Sequence, residues 1–472
     1  MSSDPLKLPP QQRETFLNRA LDRVRRTWKD VRDGAVAIAS GGDIGADLPA
    51  ARLEAVRRQI ADCIGGPGGE FAARARAADL GHLYLSFDDT GRRRFLTLLA
   101  ERFATDGDAM TIGVDSWREA RTVEARVKAE RRMKEALTPP RLRLLRQFNA
   151  LPQGVKFLVD LRADLLVVRD MSPQLAALDD DLRELLESWF DLGFLDLRQI
   201  TWQSPAALLE KLIAYEAVHE IKSWEDLRNR LESDRRCFAL FHPRMPDEPL
   251  AFVEVALVRG MAGDVQALLD RDAPTGDPKT ADTAIFYSIS NTQRGLQGVS
   301  FGEHLIKKAA EALAHDVPGL KQFATLSPVP GFRRWLDKAA IEHAGAIFQQ
   351  PGDAERYQSL KSLARSDVAD TPGTRDFVHR MAGWYFAQRN GQNQPIDPVA
   401  RFHLRNGARL ERINWPADRS ANGWAQSYGL MVNYLYNLNR VEANHESYMR
   451  DGTVVVSRSL RELTQRTHAL ES

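Results

Sequence analysis

Three stretches of this 472-residue sequence hold residue types that can do chemistry: a serine before a proline, one histidine among ten, and a loop with three glycines. Ser327 closes the apolar segment that runs from Phe323 towards Val329, and Pro328 biases it towards extended backbone. A serine at a strand end can aim its hydroxyl out of the sheet; a turn serine before proline is the alternative. The loop from Asn291 to Gly302 carries Gly295, Gly298 and Gly302. It joins an expected strand, Ala284–Ser290, to an expected helix, Glu303–His315, whose Leu305, Ile306, Ala309, Ala310 and Leu313 recur at helical spacing. The first N–H groups of a helix lack intrahelical partners, and with the helix dipole they form an anion site that glycines let a ligand approach. An ordinary strand-to-helix connection is the other reading. His403 brings an imidazole, which titrates near neutrality and can hold or donate a proton. Residue type alone does not separate it from His82, His315, His343 or His468, which are expected on surfaces or in satisfied core positions.

These groups need a scaffold. Strands are expected at Cys237–His242, Leu250–Val258, Ala284–Ser290 and Phe323–Val329, with helices at Pro205–His219, Trp224–Leu231, Gly331–His343 and Thr374–Phe386. Gly260–Asp282 reads as a long polar connection. Strands at this spacing, interrupted by helices, predict an α/β or α+β sheet domain over residues 191–472. Residues 1–190 predict helices only: Gln11–Val36, Ala50–Ile64, Glu70–Asp79, Asp89–Thr105, one long charged helix Asp115–Leu137 ended by Pro139 and Pro140, Arg141–Ala150, and further helix within Asp160–Phe190. The run Glu119–Lys134 is expected to be a solvated helix with i,i+4 ion pairs rather than a nucleic-acid face.

Composition narrows the classes. Lys plus Arg number 65 against 64 Asp plus Glu, so there is no bulk charge for nucleic acid or an anionic membrane. Hydrophobic residues at 43% and charged residues at 27% fit a globular protein. Two cysteines, Cys63 and Cys237, are too few for a disulfide framework or a cysteine-rich zinc site and are expected as free thiols. No stretch reaches the ~20 consecutive apolar residues of a membrane span. The beginning has no secretory pattern and the end, Ala-Leu-Glu-Ser, no peroxisomal address, so a bacterial cytoplasm is expected.

The wording of the chemical stretches carries more. Gln297-x-x-Ser300-x-Gly302 resembles the pyrophosphate loop of the GNAT acyltransferase superfamily, with Ser300 in place of its first glycine. FYSISNTQRGLQGVSFG from Phe286, followed by LSPVPGF from Leu326, resembles the malonyl-CoA decarboxylase family. So do Ile200-Thr-Trp-Gln-Ser-Pro205, Glu216-Ala-Val-His219, Asp397-Pro-Val-Ala-Arg-Phe-His403-Leu-Arg-Asn-Gly407, Arg412-Ile-Asn-Trp415 and Gly429-Leu-Met-Val-Asn-Tyr-Leu-Tyr436. The resemblance is close from about Ile200 to Tyr436 and general in the N-terminal third. It implies an all-helical N-terminal domain followed by a GNAT-like mixed α/β catalytic domain, an α+β chain that turns malonyl-CoA into acetyl-CoA and CO2. It implies Ser327 and His403 as a catalytic dyad. It also implies Gln297, Gly298, Val299, Ser300, Phe301, Gly302 and Glu303 as the CoA loop, and assembly as a homotetramer. Ser300 stands where some relatives have a glutamate, so carboxylate help from the loop is not expected. The thioester is its own electron sink, so neither a metal nor an organic cofactor is expected. Lys211 corresponds to a family segment associated with activity; a solvated helix lysine is the other reading. Tyr436 and Asn433 are candidates to line the acyl pocket, with packing as the alternative, and Arg405 is a candidate to orient His403. The rival functions are a GNAT-type CoA-dependent acyltransferase and a non-catalytic CoA-binding scaffold or regulator.

Overall fold

The structure, a computed structural model, describes residues 45–67, 69–299, 302–362 and 370–468. The expected Gln11–Val36 helix lies outside them, as do Ser300 and Phe301. The chain divides into two compact units. The first takes the chain to Asp196 with Phe241–Leu250 and Thr292–Ser300, and the second takes Leu197–Leu240, Ala251–Asn291 and Phe301–Ser472.

Helices build the first unit: Ala50–Gly65, Gly69–Ser86, Asp89–Arg102, Gly107–Glu119, Val123–Leu137, Arg141–Asn149, Gly154–Val168 and Pro173–Trp189. Polar N-caps start several of them. Asp88 accepts from the Gly91 N–H, Asp106 from Asp108 and Ala109, and Ser172 from Leu175. Their apolar faces meet in a core that includes Leu80, Tyr84, Phe95, Phe148, Leu158, Leu165, Leu178 and Leu182. Each such side chain contributes about 1.5–3 kcal/mol by leaving water. The single helix expected over Asp115–Leu137 is two. The break falls at Ala120–Thr122, where the Thr122 hydroxyl caps Ala125 N–H and starts a second helix. The two helices turn back on each other at Gly113, where a Cβ would stand 3.0 Å from Met133 Cγ. The periodicity of both halves was legible; the cap that separates them was read as part of a charged run.

A mixed sheet organises the second unit. Its strands are β1 (Asp196–Ile200), β2 (Arg235–His242), β3 (Met245–Val258), β4 (Thr283–Asn291), β5 (Gln322–Thr325), β6 (Ser327–Pro328), β7 (Arg409–Asn414) and β8 (Met431–Tyr436), in the order β1-β2-β3-β4-β5-β8-β6, with β7 on β8. β4 and β5 run parallel and β3–β4, β5–β8 and β7–β8 antiparallel. β1, β7 and β8 are additions to the four expected strands. β8 reads Met-Val-Asn-Tyr-Leu-Tyr, which is β-branched and aromatic and is buried at every position but Leu435. The expected Phe323–Val329 strand is interrupted at Leu326: β5 and β6 both pair with β8, but Leu326 turns its N–H to the Phe286 carbonyl of β4 at 2.9 Å. This interruption shapes the site.

Beneath the sheet lies a charged cluster. Arg230, 2% exposed, donates to Glu254 at 2.9 Å and Asp226 at 3.1 Å, and also to the Glu220 carbonyl. Burial pushes the Glu254 carboxyl up to about 7 even with Arg230 beside it.

Candidate active site

β4 and β5 stay in register from Thr283–Gln322 to Phe286–Thr325. Past the Leu326 bond the chains part: β4 runs on to Asn291 while Ser327 pairs with Val432 of β8. The gap opens into a cavity of about 290 Å³. Ser327 and Pro328 form one wall, Phe286, Tyr287 and Ile289 another, and Pro398, Val399, Phe402 and His403 close it.

The helix Pro398–Arg405 delivers His403. Asp397 is its N-cap, accepting from Ala400 N–H at 2.7 Å, with proline at the first helical position. Tyr385 donates to the other Asp397 oxygen at 3.0 Å. Residues 398, 399, 402 and 403 share one helix face, which explains why four of them line one cavity. The helix stops at Gly407, whose φ is 75° and where a Cβ would lie 1.9 Å from the Val441 carbonyl.

His403 is 2% exposed. Its Nε2 is 2.9 Å from Ser327 Oγ, and its Nδ1 is 2.8 Å from the Tyr436 hydroxyl. Its ring stacks on Tyr434, centroids 4.4 Å apart. Tyr434 and Tyr436 are two apart on β8 and so share a face. Ser327 in turn donates to Thr325 Oγ1 at 2.8 Å, and Thr325 Oγ1 also accepts the Tyr434 N–H. With the Ser327 hydroxyl donating to Thr325, the Ser327 oxygen is open to accept from a ring protonated at Nε2, the tautomer in which Nδ1 accepts from Tyr436. Burial pushes the Tyr436 phenol up, which keeps it a donor. Burial also pulls the His403 imidazole down to about 3 from its usual 6.5.

That shift sets a pH dependence. Protonation of His403 is uphill until about pH 3, so the ring is neutral through the usual imidazole range. We expect kcat/KM to show no inflection near pH 6.5 attributable to this residue. A pH series on the parent protein checks it; a one-proton step at 6.5 would mean that the ring charges in the free enzyme.

The other expected residues separate. Asn433 lies outside the cavity lining. It is fully buried, donating to the Thr325 carbonyl at 2.7 Å and accepting from Asn414 at 2.8 Å, so it stitches β8 to β5 and β7. Tyr436 reaches the cavity only through His403. Lys211 is half-buried on the helix Ala206–Tyr215, outside the lining. Arg405 is exposed at the end of the His403 helix; the side chains that meet the ring include Ser327, Phe402, Tyr434 and Tyr436. Glu216 accepts from Val218 N–H, His219 N–H, Ser288 Oγ and Ser290 Oγ, which sets Val218 in the cavity wall beside β4.

Of the loop, Gln297, Gly298 and Val299 are described, and the following helix begins at Gly302, one residue before Glu303. The N–H groups of Gln297 and Val299 bond inside the loop, to Arg294 and Leu296 carbonyls. Gly298 has φ 85°, a conformation that suits glycine. Buried Arg162 clamps the loop from within the first unit, donating to the carbonyls of Gly295 at 2.7 Å and Gln297 at 2.8 Å and to Asp179 at 2.8 Å. Arg162 escaped the sequence reading because it lies 133 residues from its partner Gly295. Thr325 and Tyr434 were also missed; each stands two residues from a chosen residue on the same strand face, a period-2 signal that was available.

Known proteins resemble the chain over most of its length. Residues 193–471 match the family model "Malonyl-CoA decarboxylase C-terminal domain" and residues 103–190 the "Malonyl-CoA decarboxylase N-terminal domain". Mitochondrial malonyl-CoA decarboxylase of Mus musculus is 35% identical over 420 residues, 83% of this chain and 85% of that protein. The Anser anser anser protein is 34% identical over 406 residues, 80% of this chain and 81% of its own length. The crystal structure of malonyl-CoA decarboxylase from Rhodopseudomonas palustris superimposes with a TM-score of 0.80 at 41% identity, covering 87% of this chain and 99% of that one. The Agrobacterium vitis structure gives 0.79 at 42%, with the same coverage. A helical region followed by a mixed sheet that holds a buried Ser–His pair is here the architecture of a decarboxylase, a carbon–carbon lyase. The chain belongs to the malonyl-CoA decarboxylase family.

Proposed function

We propose that this protein decarboxylates malonyl-CoA to acetyl-CoA and CO2 with Ser327 and His403 at the reacting atoms. The hydrogen-bonded row Tyr436–His403–Ser327–Thr325 is the observation that supports the mechanism, with the ring assigned its proton on Nε2. In a Ser–His–carboxylate triad the carboxylate holds a proton on Nδ1, so Nε2 is a base and serine a nucleophile. Here a phenol donates to Nδ1, so Nε2 keeps its proton and Ser327 is a donor. A donor serves decarboxylation. As the bond from the carboxylate carbon to the α-carbon breaks, CO2 leaves and the electron pair forms an enolate on the thioester oxygen. The hydroxyl of Ser327 turns from Thr325 towards the substrate. The α-carbon takes the Ser327 proton, Ser327 takes the Nε2 proton, and Nδ1 takes the Tyr436 proton. The imidazole is neutral before and after, and the phenol regains its proton by the reverse path through the ring and Ser327, from solvent that enters the cavity when the product leaves. The net proton gained makes the acetyl methyl group.

The same direction disfavours the rival acyltransferase, which requires a base beside an amine acceptor. Purified protein given malonyl-CoA, without metal or nucleotide, is expected to release acetyl-CoA and CO2 in equal amounts. CoA binding without turnover would leave the scaffold reading in its place. Tyr436→Phe removes the donor to Nδ1 and frees the ring to change tautomer. We expect kcat to fall about tenfold with KM little changed; an unchanged kcat would remove Tyr436 from the relay.

The loop Gln297–Glu303 is taken as the CoA pyrophosphate site, on the strength of its wording and of its place before the helix that begins at Gly302. Self-association is part of the same reading. The hairpin of helices Gly107–Glu119 and Val123–Leu137 exposes Ile112 (65%), Val123 (82%) and Val127 (58%), apolar surface suited to further copies of the chain. Light scattering should return four times the chain mass. Cys63 and Cys237 are both free and buried, in keeping with the expected bacterial cytoplasm. Among the described residues no helix is long and apolar enough to cross a membrane.

A further inference from the structure

Ser327 has one hydroxyl proton and two acceptors within its reach, Thr325 Oγ1 at 2.8 Å and His403 Nε2 at 2.9 Å. The two lengths are nearly equal, so distance does not choose between them, yet the choice decides the chemistry. A serine that donates to Nε2 has a base at its oxygen, the arrangement of a nucleophile. A serine that donates elsewhere leaves its oxygen to the Nε2–H and can pass its own proton to a substrate carbon. Thr325 offers the second course. It is fully buried at the end of β5 and lies outside the cavity lining, so it meets no substrate. Thr325 and Ser327 are two apart on extended backbone, which brings their hydroxyls to one side.

The strands around Thr325 hold it still. It pairs with Phe286 of β4, its carbonyl accepts from Asn433 at 2.7 Å, and its Oγ1 accepts the Tyr434 N–H at 3.2 Å. A β-branched side chain has few rotamers open to it on a strand. One oxygen thus receives both the Tyr434 N–H and the Ser327 O–H, and Tyr434 is the residue stacked on the His403 ring. On the far side of that ring the Tyr436 phenol meets Nδ1 at 2.8 Å, as donor when the ring proton is on Nε2. Thr325 draws the serine proton away from Nε2, which leaves Nε2 free to carry the ring proton, so the two neighbours favour one tautomer. We propose that Thr325 is the positioning residue of the relay, keeping Ser327 in the donor orientation and the ring proton on Nε2. This role rests on the malonyl-CoA reading above and adds to it the group that orders its protons.

The test replaces Thr325 in the full chain. Thr325→Val keeps the shape and removes the acceptor, so the Ser327 proton falls to Nε2 and the ring proton moves to Nδ1. We expect kcat for malonyl-CoA to fall about tenfold with KM changed by no more than about twofold. Thr325→Ser, which returns the oxygen without the methyl group, should recover about half or more of the parent kcat. The tautomer is read from solid-state 15N spectra of histidine-labelled protein, with His403→Gln to assign the signal. The parent should show the proton on Nε2 and Thr325→Val should show it on Nδ1. A Thr325→Val protein with the parent kcat, or one with the parent tautomer, would overturn the proposal. So would a Thr325→Ser protein as impaired as Thr325→Val, since the loss would then follow packing rather than the oxygen. Thr325→Val also leaves the Tyr434 N–H without its acceptor, so folding is checked by circular dichroism. If it does not fold, Thr325→Cys, of similar size with a weakly accepting sulfur, takes its place under the same criteria. Absence of any turnover by the parent would bring down the malonyl-CoA reading instead, and the spectra alone then decide the role of Thr325.

Discussion

His403→Ala lowers kcat for malonyl-CoA about a thousandfold, with KM changed by no more than about threefold. The imidazole is the link between the Tyr436 phenol and the Ser327 hydroxyl, and both bonds, at 2.8 and 2.9 Å, go with it. Ser327→Ala removes the donor that faces the substrate, for a loss of about 10²–10³ in kcat. Because the two act on one proton, the double variant falls little below the worse single variant. His403 is fully packed, so folding is checked by circular dichroism and CoA affinity by calorimetry in each variant. A folded, CoA-binding His403→Ala protein that keeps more than a tenth of the parent kcat would falsify the relay. A lost kcat combined with lost CoA binding would point to a collapsed cavity, which His403→Gln, of similar volume, would separate.

Arg230→Met destabilises the protein by about 3–5 kcal/mol at pH 8, the usual cost of leaving a buried charge without its partner. Arg230 and Glu254 are 2% exposed and 2.9 Å apart, and Asp226 shares the guanidinium. The pH dependence has a definite sign. The Glu254 carboxyl is raised to about 7 in the fold from about 4.5 unfolded, so it favours folding at low pH and loses that contribution as pH rises through 7. Without Arg230 the carboxyl climbs further, so the deficit of the variant is larger at pH 8 than at pH 5.5, where Glu254 is protonated. Urea unfolding at the two pH values reads this directly. Arg230→Met with Glu254→Leu should recover most of the loss, since a packed apolar pair replaces the ion pair. A deficit below about 1 kcal/mol, or one independent of pH, would show that water reaches the cluster.

Much of the scaffold was written in local pattern. The helices Ala50–Gly65, Asp89–Arg102 and Phe332–Glu342 follow from 3.6 periodicity, and the strands β2, β3 and β4 from short apolar runs of β-branched and aromatic residues. Ser327 was marked by the proline after it, and His403 only by the family wording around it. By itself the sequence determined the helical-then-sheet order, the extended backbone around Ser327 and the resemblance to the family. It did not show the break at Leu326, because that bond goes to Phe286, 40 residues away. It named Tyr436 as a pocket candidate, but its bond to His403 spans 33 residues and depends on β8 lying between β5 and β7. Arg162 carries no local mark, since its partner Gly295 lies 133 residues away. Tertiary structure alone decided the hydrogen-bonded row Tyr436–His403–Ser327–Thr325, the burial of His403 and the Arg162 clamp on the loop. Each is a relation between groups distant in sequence, and hydrogen-bond direction and desolvation exist only once the chain has brought those groups together and excluded water.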